Sequence, residues 1–119
     1  MVDFTELDSW KVSHRLVLEI YKKTESFPKS ETFGLTSQIR RSASSITANI
    51  AEGFGRGTLN DKIHFYTMAL GSLFEVQNQL LISRDVGFLD AKECDSLFND
   101  TIEINKMCSS LIKVLKNNA

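Results

Sequence analysis

The sequence predicts an all-α fold, an antiparallel up-down four-helix bundle. Three breaks divide the chain into four long segments, and each segment carries apolar residues at helical spacing. One proline and six glycines among 119 residues are too few for the many turns of an all-β protein. The breaks lie at residues 26–30, 53–57 and 86–89. A single domain spanning 1–119 is predicted, with helices at about 7–25, 34–52, 60–86 and 91–115.

Apolar and aromatic residues of the first predicted helix recur at alternating steps of three and four. This stripe consists of Leu7, Trp10, His14, Val17, Tyr21 and Thr24. Such spacing predicts that the stripe faces the core. His14 is therefore predicted to be a hydrogen-bonded core residue rather than a catalytic one.

The second and fourth predicted helices each carry one clear apolar stripe. In the second helix it consists of Leu35, Ile39, Ala43, Ile46, Ile50 and Phe54. In the fourth helix it consists of Cys94, Leu97, Thr101, Ile104, Cys108, Leu111 and Leu115. The two cysteines are about 21 Å apart along that helix, too far for a disulfide, and are predicted to be small core residues.

The third predicted helix is apolar on all sides. From Ile63 to Ser83 its only formal charge is Glu75. A helix of this kind is buried all round, and the polar residues that interrupt it exclude a membrane span. The connecting segments are too short to cover its outer side, so a partner surface is predicted, with Phe65 and Phe74 as candidate contacts.

The second predicted helix carries two further lines of residues outside its apolar stripe. Ser44, Ala48, Ala51 and Gly55 form a small-residue line that lets another helix approach closely. A polar line lies between the apolar stripe and the small-residue line and consists of Gln38, Arg41, Ser45, Asn49 and Glu52. It predicts an interface network, the alternative being a solvated face. With Phe65 and Phe74, the candidate oligomer-interface residues are Gln38, Arg41, Ser44, Ser45, Ala48, Asn49, Ala51 and Glu52. Arg41 or Glu52 is predicted to contact a neighbouring subunit.

Several segments resemble a known protein family. The longest is QIRRSASSITANIAEGFGR at residues 38–56, and the others are LDSWK at 7–11, FGLTSQ at 33–38 and ALGSLFE at 69–75. Together they resemble the four-helix bundle proteins encoded in intervening sequences of bacterial 23S ribosomal RNA genes. The chain departs from the family at Thr47, where a proline is usual, and at Ser42, where an alanine is frequent. A proline would kink the helix, so a straighter helix is expected here.

The resemblance implies an antiparallel four-helix bundle that assembles as a ring of five subunits. The family also resembles the accessory protein of diversity-generating retroelements, which binds a reverse transcriptase and nucleic acid. The implied partners are therefore further copies of this chain, with RNA or a reverse-transcriptase-like protein as a candidate. For most members of the family the molecular function is unknown, so the resemblance implies no reaction.

The charge balance gives only local support for nucleic-acid binding. Fourteen Lys and Arg against fifteen Asp and Glu give a net charge of -1, so affinity for phosphate would require clustering. The candidate nucleic-acid-binding residues are Arg40, Arg41, Arg56 and Lys62. The alternative is that these side chains serve the subunit interface or solubility.

No catalytic, metal or cofactor site is predicted. The sequence contains no metal-ligand spacing and no strand-associated phosphate loop. One less favoured enzymatic alternative is a ribonuclease that uses Arg56 and His64. The N-terminus has neither a basic start nor an apolar signal core, which predicts a cytoplasmic protein without a membrane segment.

The preferred hypothesis is a non-catalytic homo-oligomeric helical scaffold with RNA or a protein as its candidate docking partner. The alternative is a nucleic-acid-binding accessory module. A continuous positive belt on the assembled ring would favour the second hypothesis over the first.

Overall fold

The computed structural model of the chain describes residues 2–118, and these residues form helices and no strand. Two 3-10 turns, Phe4–Glu6 and Lys29–Glu31, precede the first and second long helices. The long helices are α1 (Asp8–Thr24), α2 (Leu35–Gly55), α3 (Leu59–Asp85) and α4 (Ala91–Asn117). The molecule is elongated, with principal extents of 46 × 22 × 21 Å.

The four helices pack in a closed square. Each helix contacts its neighbours in sequence, and α4 returns to pack against α1. Within residues 2–118 the diagonal pairs, α1 with α3 and α2 with α4, have no Cα atoms within 8 Å of each other. Short connections between neighbouring helices make them antiparallel. The predicted all-α, up-down four-helix bundle is confirmed.

The helix ends lie close to the predicted bounds, with α2 continuing to Gly55 and α4 to Asn117. Lys62 Nζ donates hydrogen bonds to the carbonyl oxygens of Gly53 and Phe54, at 3.2 and 2.6 Å, and so satisfies the end of α2. At the start of α3 and α4, side-chain oxygens accept from backbone N–H groups. Thr58 accepts from Asp61 at 3.1 Å, and Asp90 accepts from Glu93 at 2.7 Å.

The core is formed by one apolar stripe from each helix. The predicted stripe of α2 is buried except for a half-buried Phe54, and the predicted stripe of α4 is buried from Cys94 to Cys108. The contribution of α3 is Tyr66, Ala69, Leu73, Val76 and Leu80. The predicted core stripes of α2 and α4 are thus confirmed. The prediction succeeds for these helices because a wide apolar stripe at helical spacing can be buried in only one way.

The core face of α1 differs from the prediction. It consists of Val12, Leu16 and Ile20 together with Ser9, Ser13 and Thr24, whereas His14 is exposed and stacks on Trp10, with ring centroids 4.6 Å apart. The prediction of a core histidine was therefore wrong. Ser13 and Thr24 donate to the carbonyl oxygens four residues earlier, at 2.6 and 2.7 Å. Because these hydroxyls are satisfied within the helix, they can occupy the core in place of larger apolar residues.

Helices α2 and α3 share the most extensive interface of the bundle. A Cβ atom built on Gly53 would lie 2.6 Å from Cε1 of the buried Tyr66 ring, so the two helices approach closely only because residue 53 is glycine. Further along the same interface, Ser72 Oγ donates to Ser45 Oγ at 2.9 Å. Thr47, at the position of the usual family proline, lies within the continuous helix α2, and its hydroxyl donates to Ser44 O at 2.9 Å. Across residues 2–118, no helix has the length and apolar character required to cross a membrane.

Candidate functional site

The small-residue line of α2 lies on the outside of the bundle. Ala48 and Gly55 are exposed, and Ser44 and Ala51 are half-buried, while the core stripe of the same helix points inward. Within the described chain no helix packs over this line. The close helix contact predicted for these residues is therefore not made by the bundle itself.

The outer side of α3 is rich in exposed apolar side chains. Met68, Phe74 and Ile82 are 45%, 53% and 42% exposed. Phe65 is half-buried because the guanidinium carbon of Arg56 lies 4.4 Å from its ring centroid. The core thus buries only part of the apolar surface that α3 carries on all sides.

Two hydrogen bonds set α2 and α3 in register. Ser72 donates to Ser45, and Ser42 donates to Glu75 at 3.2 Å, so residue numbers facing each other across the pair sum to 117. Ala48 of α2 therefore lies at the same height along the bundle as Ala69 of α3. Met68 is the residue next to Ala69, so its height differs from that of Ala48 by about 1.5 Å. We name the outer positions Ser44 and Ala48 of α2 and Phe65 and Met68 of α3 together the α2–α3 patch.

The predicted polar line of α2 is divided by its contacts. Ser45 bonds to Ser72, Asn49 Nδ2 donates to Ser45 O at 2.9 Å, and Glu52 pairs with Arg56 at 3.2 Å. In contrast, the side chains of Gln38 and Arg41 make no hydrogen bond or ion pair with any residue between 2 and 118. That these five residues form a subunit interface stays a prediction. Of the five, only Gln38 and Arg41 have side chains that remain free to bind another molecule.

The four candidate nucleic-acid-binding residues do not form one cluster. Arg40 donates to Thr24 Oγ1 at 2.9 Å and stacks over the Tyr21 ring at 4.6 Å, which ties it to α1. Lys62 caps α2, and Arg56 pairs with Glu52. Because Arg40 and Arg56 are sixteen residues apart on one helix, about 24 Å separates them. Arg41 is the only one of the four whose charged group is not engaged by another described residue.

The geometry gives no support to a pair formed by Arg56 and His64. Arg56 is engaged with Glu52 and with the face of the Phe65 ring. His64 is exposed, and its ring meets Phe65 edge-on at a centroid distance of 5.4 Å. Among residues 2–118, no three His, Cys, Asp or Glu side chains are grouped so as to hold a metal ion.

Both cysteines are unpaired thiols buried in the core. Burial raises the pKa of the Cys108 thiol to about 11, and burial also raises the pKa of the Cys94 thiol. The thiolate is the reactive form of cysteine. The protein therefore holds both sulfur atoms in an unreactive, protonated state at neutral pH.

We expect neither thiol of the folded protein to react with an alkylating reagent at pH 8, because both are protonated and inaccessible. In urea sufficient to unfold the chain, both should react within minutes. Intact-mass spectrometry before and after unfolding measures the number of adducts. Rapid labelling of either cysteine in the folded protein would contradict its position in the core.

A cleft of about 480 Å³ opens at the end of the α2–α3 interface where α2 begins. We name it the upper cleft, and it is lined by Phe33, Ser37, Gln38, Arg41, Ser42, Glu75 and Gln79. Phe33 is 96% exposed at its rim. Phe33, Glu75 and Gln79 are site residues that were not predicted from the sequence. The available signal was a large aromatic residue outside any helical stripe, directly before the glycine that precedes α2.

Comparison with known proteins decides the family. The family described as 23S rRNA-intervening sequence protein matches residues 5–110, which is most of the chain. The chain belongs to this family. The family resemblance deduced from the sequence segments is therefore confirmed.

A solved structure is similar to this family member over nearly its full length. It is the crystal structure of a protein with unknown function from the S23 ribosomal protein family, from Bacteroides thetaiotaomicron VPI-5482. The two chains are 27% identical, with a TM-score of 0.81, and the match covers 88% of this chain and 95% of the other. No curated protein matches the chain significantly. The comparisons thus agree with the four-helix fold and assign no specific function.

Three of the segments that carry the family resemblance meet in space. Phe33 from FGLTSQ, Arg41 from the long signature and Glu75 from ALGSLFE all line the upper cleft. The long signature also supplies Ala48, and Met68 directly precedes the ALGSLFE segment, so the α2–α3 patch lies next to the same segments. The outer side of α2 and α3 is therefore the candidate functional surface of this family member.

Proposed function

We propose that the chain is a non-catalytic subunit of a homo-oligomeric helical scaffold that acts in the cytoplasm. The observation that carries this proposal is exposed surface on two helices: Met68, Phe74 and Ile82 on the outer side of α3 are about half exposed, and the small-residue line of α2 is also on the outside. Apolar surface of this kind in an otherwise well-packed bundle marks an interaction site. Burying it against a neighbouring copy removes it from water.

The two sides of the proposed contact differ in the size of their side chains. The small-residue line of α2 carries short side chains, while Phe74 and Met68 are large and about half exposed on α3. In a head-to-tail assembly, one subunit offers the first surface and the next subunit offers the second, and the assembly forms a ring where the rotation between subunits closes. The family resemblance implies five copies. Either Arg41 at the upper edge of the patch or Glu52 at its lower edge is proposed to reach the neighbouring subunit.

Several contacts support a role that is not catalytic. The charged groups selected from the sequence are mostly used to hold helices together, as in the contacts of Arg40 with α1 and of Lys62 with the end of α2. Both thiols are buried. The proposed scaffold would present RNA or a protein partner with the surfaces that remain outside the subunit contact.

The test is a change in the small-residue line that leaves the bundle intact. Ala48→Arg places a long charged side chain on an exposed position, so the monomer should fold with unchanged helix content. At micromolar concentration, light scattering should show an oligomer for the unmodified protein and smaller species for the variant. The exposed change Lys113→Ala on α4 is the matched control and should leave the assembly unaltered. A stable monomer for the unmodified protein would refute the proposal.

A further inference from the structure

The ring of Phe33 is exposed to solvent, and hydrogen bonds fix the backbone on either side of it. On either side of it, Thr32 N donates to Lys29 O at 3.1 Å and Gly34 N donates to Glu31 O at 3.0 Å. The Glu31 carboxylate also accepts from Leu35 N at 3.1 Å, the first N–H group of α2. The turn therefore fixes the backbone that carries this aromatic ring, which is 96% exposed at the rim of the upper cleft. Such a surface suits stacking by another aromatic group.

The interior of the upper cleft offers hydrogen-bond acceptors that are not saturated. The Glu75 carboxylate accepts one hydrogen bond, from Ser42 Oγ at 3.2 Å, and an ionised carboxylate can accept about four. Gln79 Oε1 is buried and accepts none from residues 2–118. Gln79 lines the cleft, and the last torsion of its side chain is soft. A ligand should therefore bring two or more N–H donors.

The cleft also contains one free cationic donor. The Arg41 guanidinium lines it and has no partner within the described chain. Arg41 and Glu75 give the cleft no net charge, so a neutral ligand with both donors and acceptors is complementary to it. The volume of about 480 Å³ lies in the range of small-molecule sites.

We propose that the upper cleft binds a guanine base. Guanine is flat and aromatic, and its Watson–Crick edge presents two adjacent donors, N1–H and the N2 amine, next to the O6 acceptor. In this assignment the base stacks on Phe33, the Glu75 carboxylate and Gln79 Oε1 accept from N1–H and N2, and Arg41 donates to O6 or N7. Adenine, cytosine and uracil each lack the pair of adjacent donors.

The guanine site meets the α2–α3 patch only at its upper edge, where Arg41 lies three residues from Ser44, and it therefore requires that Glu52 rather than Arg41 make the subunit contact. It does not require assembly, but it requires that the cleft stay open in the assembled protein. An assembly that covers the cleft would prevent binding and would overturn this proposal while leaving the scaffold proposal intact. The two proposals therefore fail separately.

Calorimetric titration of the full chain with the four nucleoside monophosphates tests the proposal. Guanosine monophosphate should bind at least about tenfold more tightly than the other three, the discrimination expected for a paired hydrogen-bond contact. Inosine monophosphate, which lacks the N2 amine, should bind about tenfold more weakly than guanosine monophosphate. A short guanine-containing RNA is the second ligand. Binding of the RNA more than tenfold tighter than the nucleotide identifies RNA as the source of the base, and equal binding identifies the free nucleotide.

Two variants separate the contacts within the site. Phe33→Ala should weaken all nucleotides alike, because it removes the stacking surface, and Glu75→Gln should reduce the preference for guanine. Both side chains are exposed, so both variants should fold. Lys113→Ala on α4 is the control and should bind as the unmodified protein does. The proposal is wrong if guanosine monophosphate does not bind at about 1 mM. It is also wrong if neither variant alters nucleotide binding. A third contrary result would be that a different compound, an arginine amide, binds to the cleft and the nucleotide does not.

Discussion

Leu73→Ala should lower the free energy of unfolding by about 2–5 kcal/mol. Leu73 is fully buried in α3 and packs in the single hydrophobic core formed by all four helices. Truncation to alanine removes apolar contacts and leaves a cavity that the surrounding side chains fill only in part. Urea denaturation followed by circular dichroism measures the loss as a lower midpoint at unchanged slope.

Phe74→Ala is the matched control, because it removes a larger side chain from the next position of the same helix. Phe74 is 53% exposed, so the unfolding free energy of the isolated subunit should change by less than about 1 kcal/mol. The proposed assembly should nevertheless weaken. Measuring both variants at several protein concentrations separates the two effects, since only assembly makes stability depend on concentration. Equal losses at low concentration for Leu73→Ala and Phe74→Ala would contradict the assignment of inner and outer faces on α3.

Gly53→Ala should lower the free energy of unfolding by about 1–3 kcal/mol. The new Cβ atom would lie 2.6 and 2.8 Å from two carbon atoms of the Tyr66 ring, which is itself buried and cannot move aside. This overpacking outweighs the gain of about 1 kcal/mol that alanine brings to a helix interior. Forcing α2 away from α3 should also disturb the neighbouring contact between Ser45 and Ser72.

Gly71→Ala makes the same chemical change at a position where, apart from the adjoining residues and the backbone of its own helix, no heavy atom lies within 4 Å of the new Cβ. Its expected effect has the opposite sign, a gain of about 0.5–1 kcal/mol from helix propensity alone. Thermal unfolding of the two variants under one set of conditions is sufficient to compare them. A stabilised Gly53→Ala protein would show that the α2–α3 interface is looser than the structure describes.

The two proposed surfaces use different parts of one helix pair. The α2–α3 patch is apolar and small-featured, which suits contact with another copy of the chain. The upper cleft is polar and has an aromatic rim, which suits a small planar ligand. Both surfaces depend on the register that the contacts of Ser45 with Ser72 and of Ser42 with Glu75 impose on α2 and α3.

The number, order and approximate bounds of the helices could be predicted from the sequence, as could the core faces of α2 and α4. In α2, large apolar residues recur every three or four positions, so only one orientation buries them. The family could be deduced as well, because the segment from Gln38 to Arg56 is long and specific. These properties depend on local spacing and residue type, which a single chain displays directly.

The core face of α1 could not be predicted in the same way. Trp10, His14 and Tyr21 suggested one stripe, but Ser9 and Ser13, which lie outside that stripe, occupy the core. Short hydroxyl side chains that bond to their own helix can pack against neighbouring helices as small residues do. Whether that happens depends on the width of the space left by α2 and α4, which no pattern within α1 reveals.

The sequence by itself determined the four-helix fold, its family and the existence of surplus apolar surface on α3. The tertiary structure alone decided which charged groups remain free. Arg40 and Arg41 are neighbours of the same type, yet Arg40 stacks on Tyr21 of α1 whereas Arg41 opens into the upper cleft. Helical periodicity turns adjacent residues about 100° apart. Which of those directions meets another helix is set by the packing of the bundle.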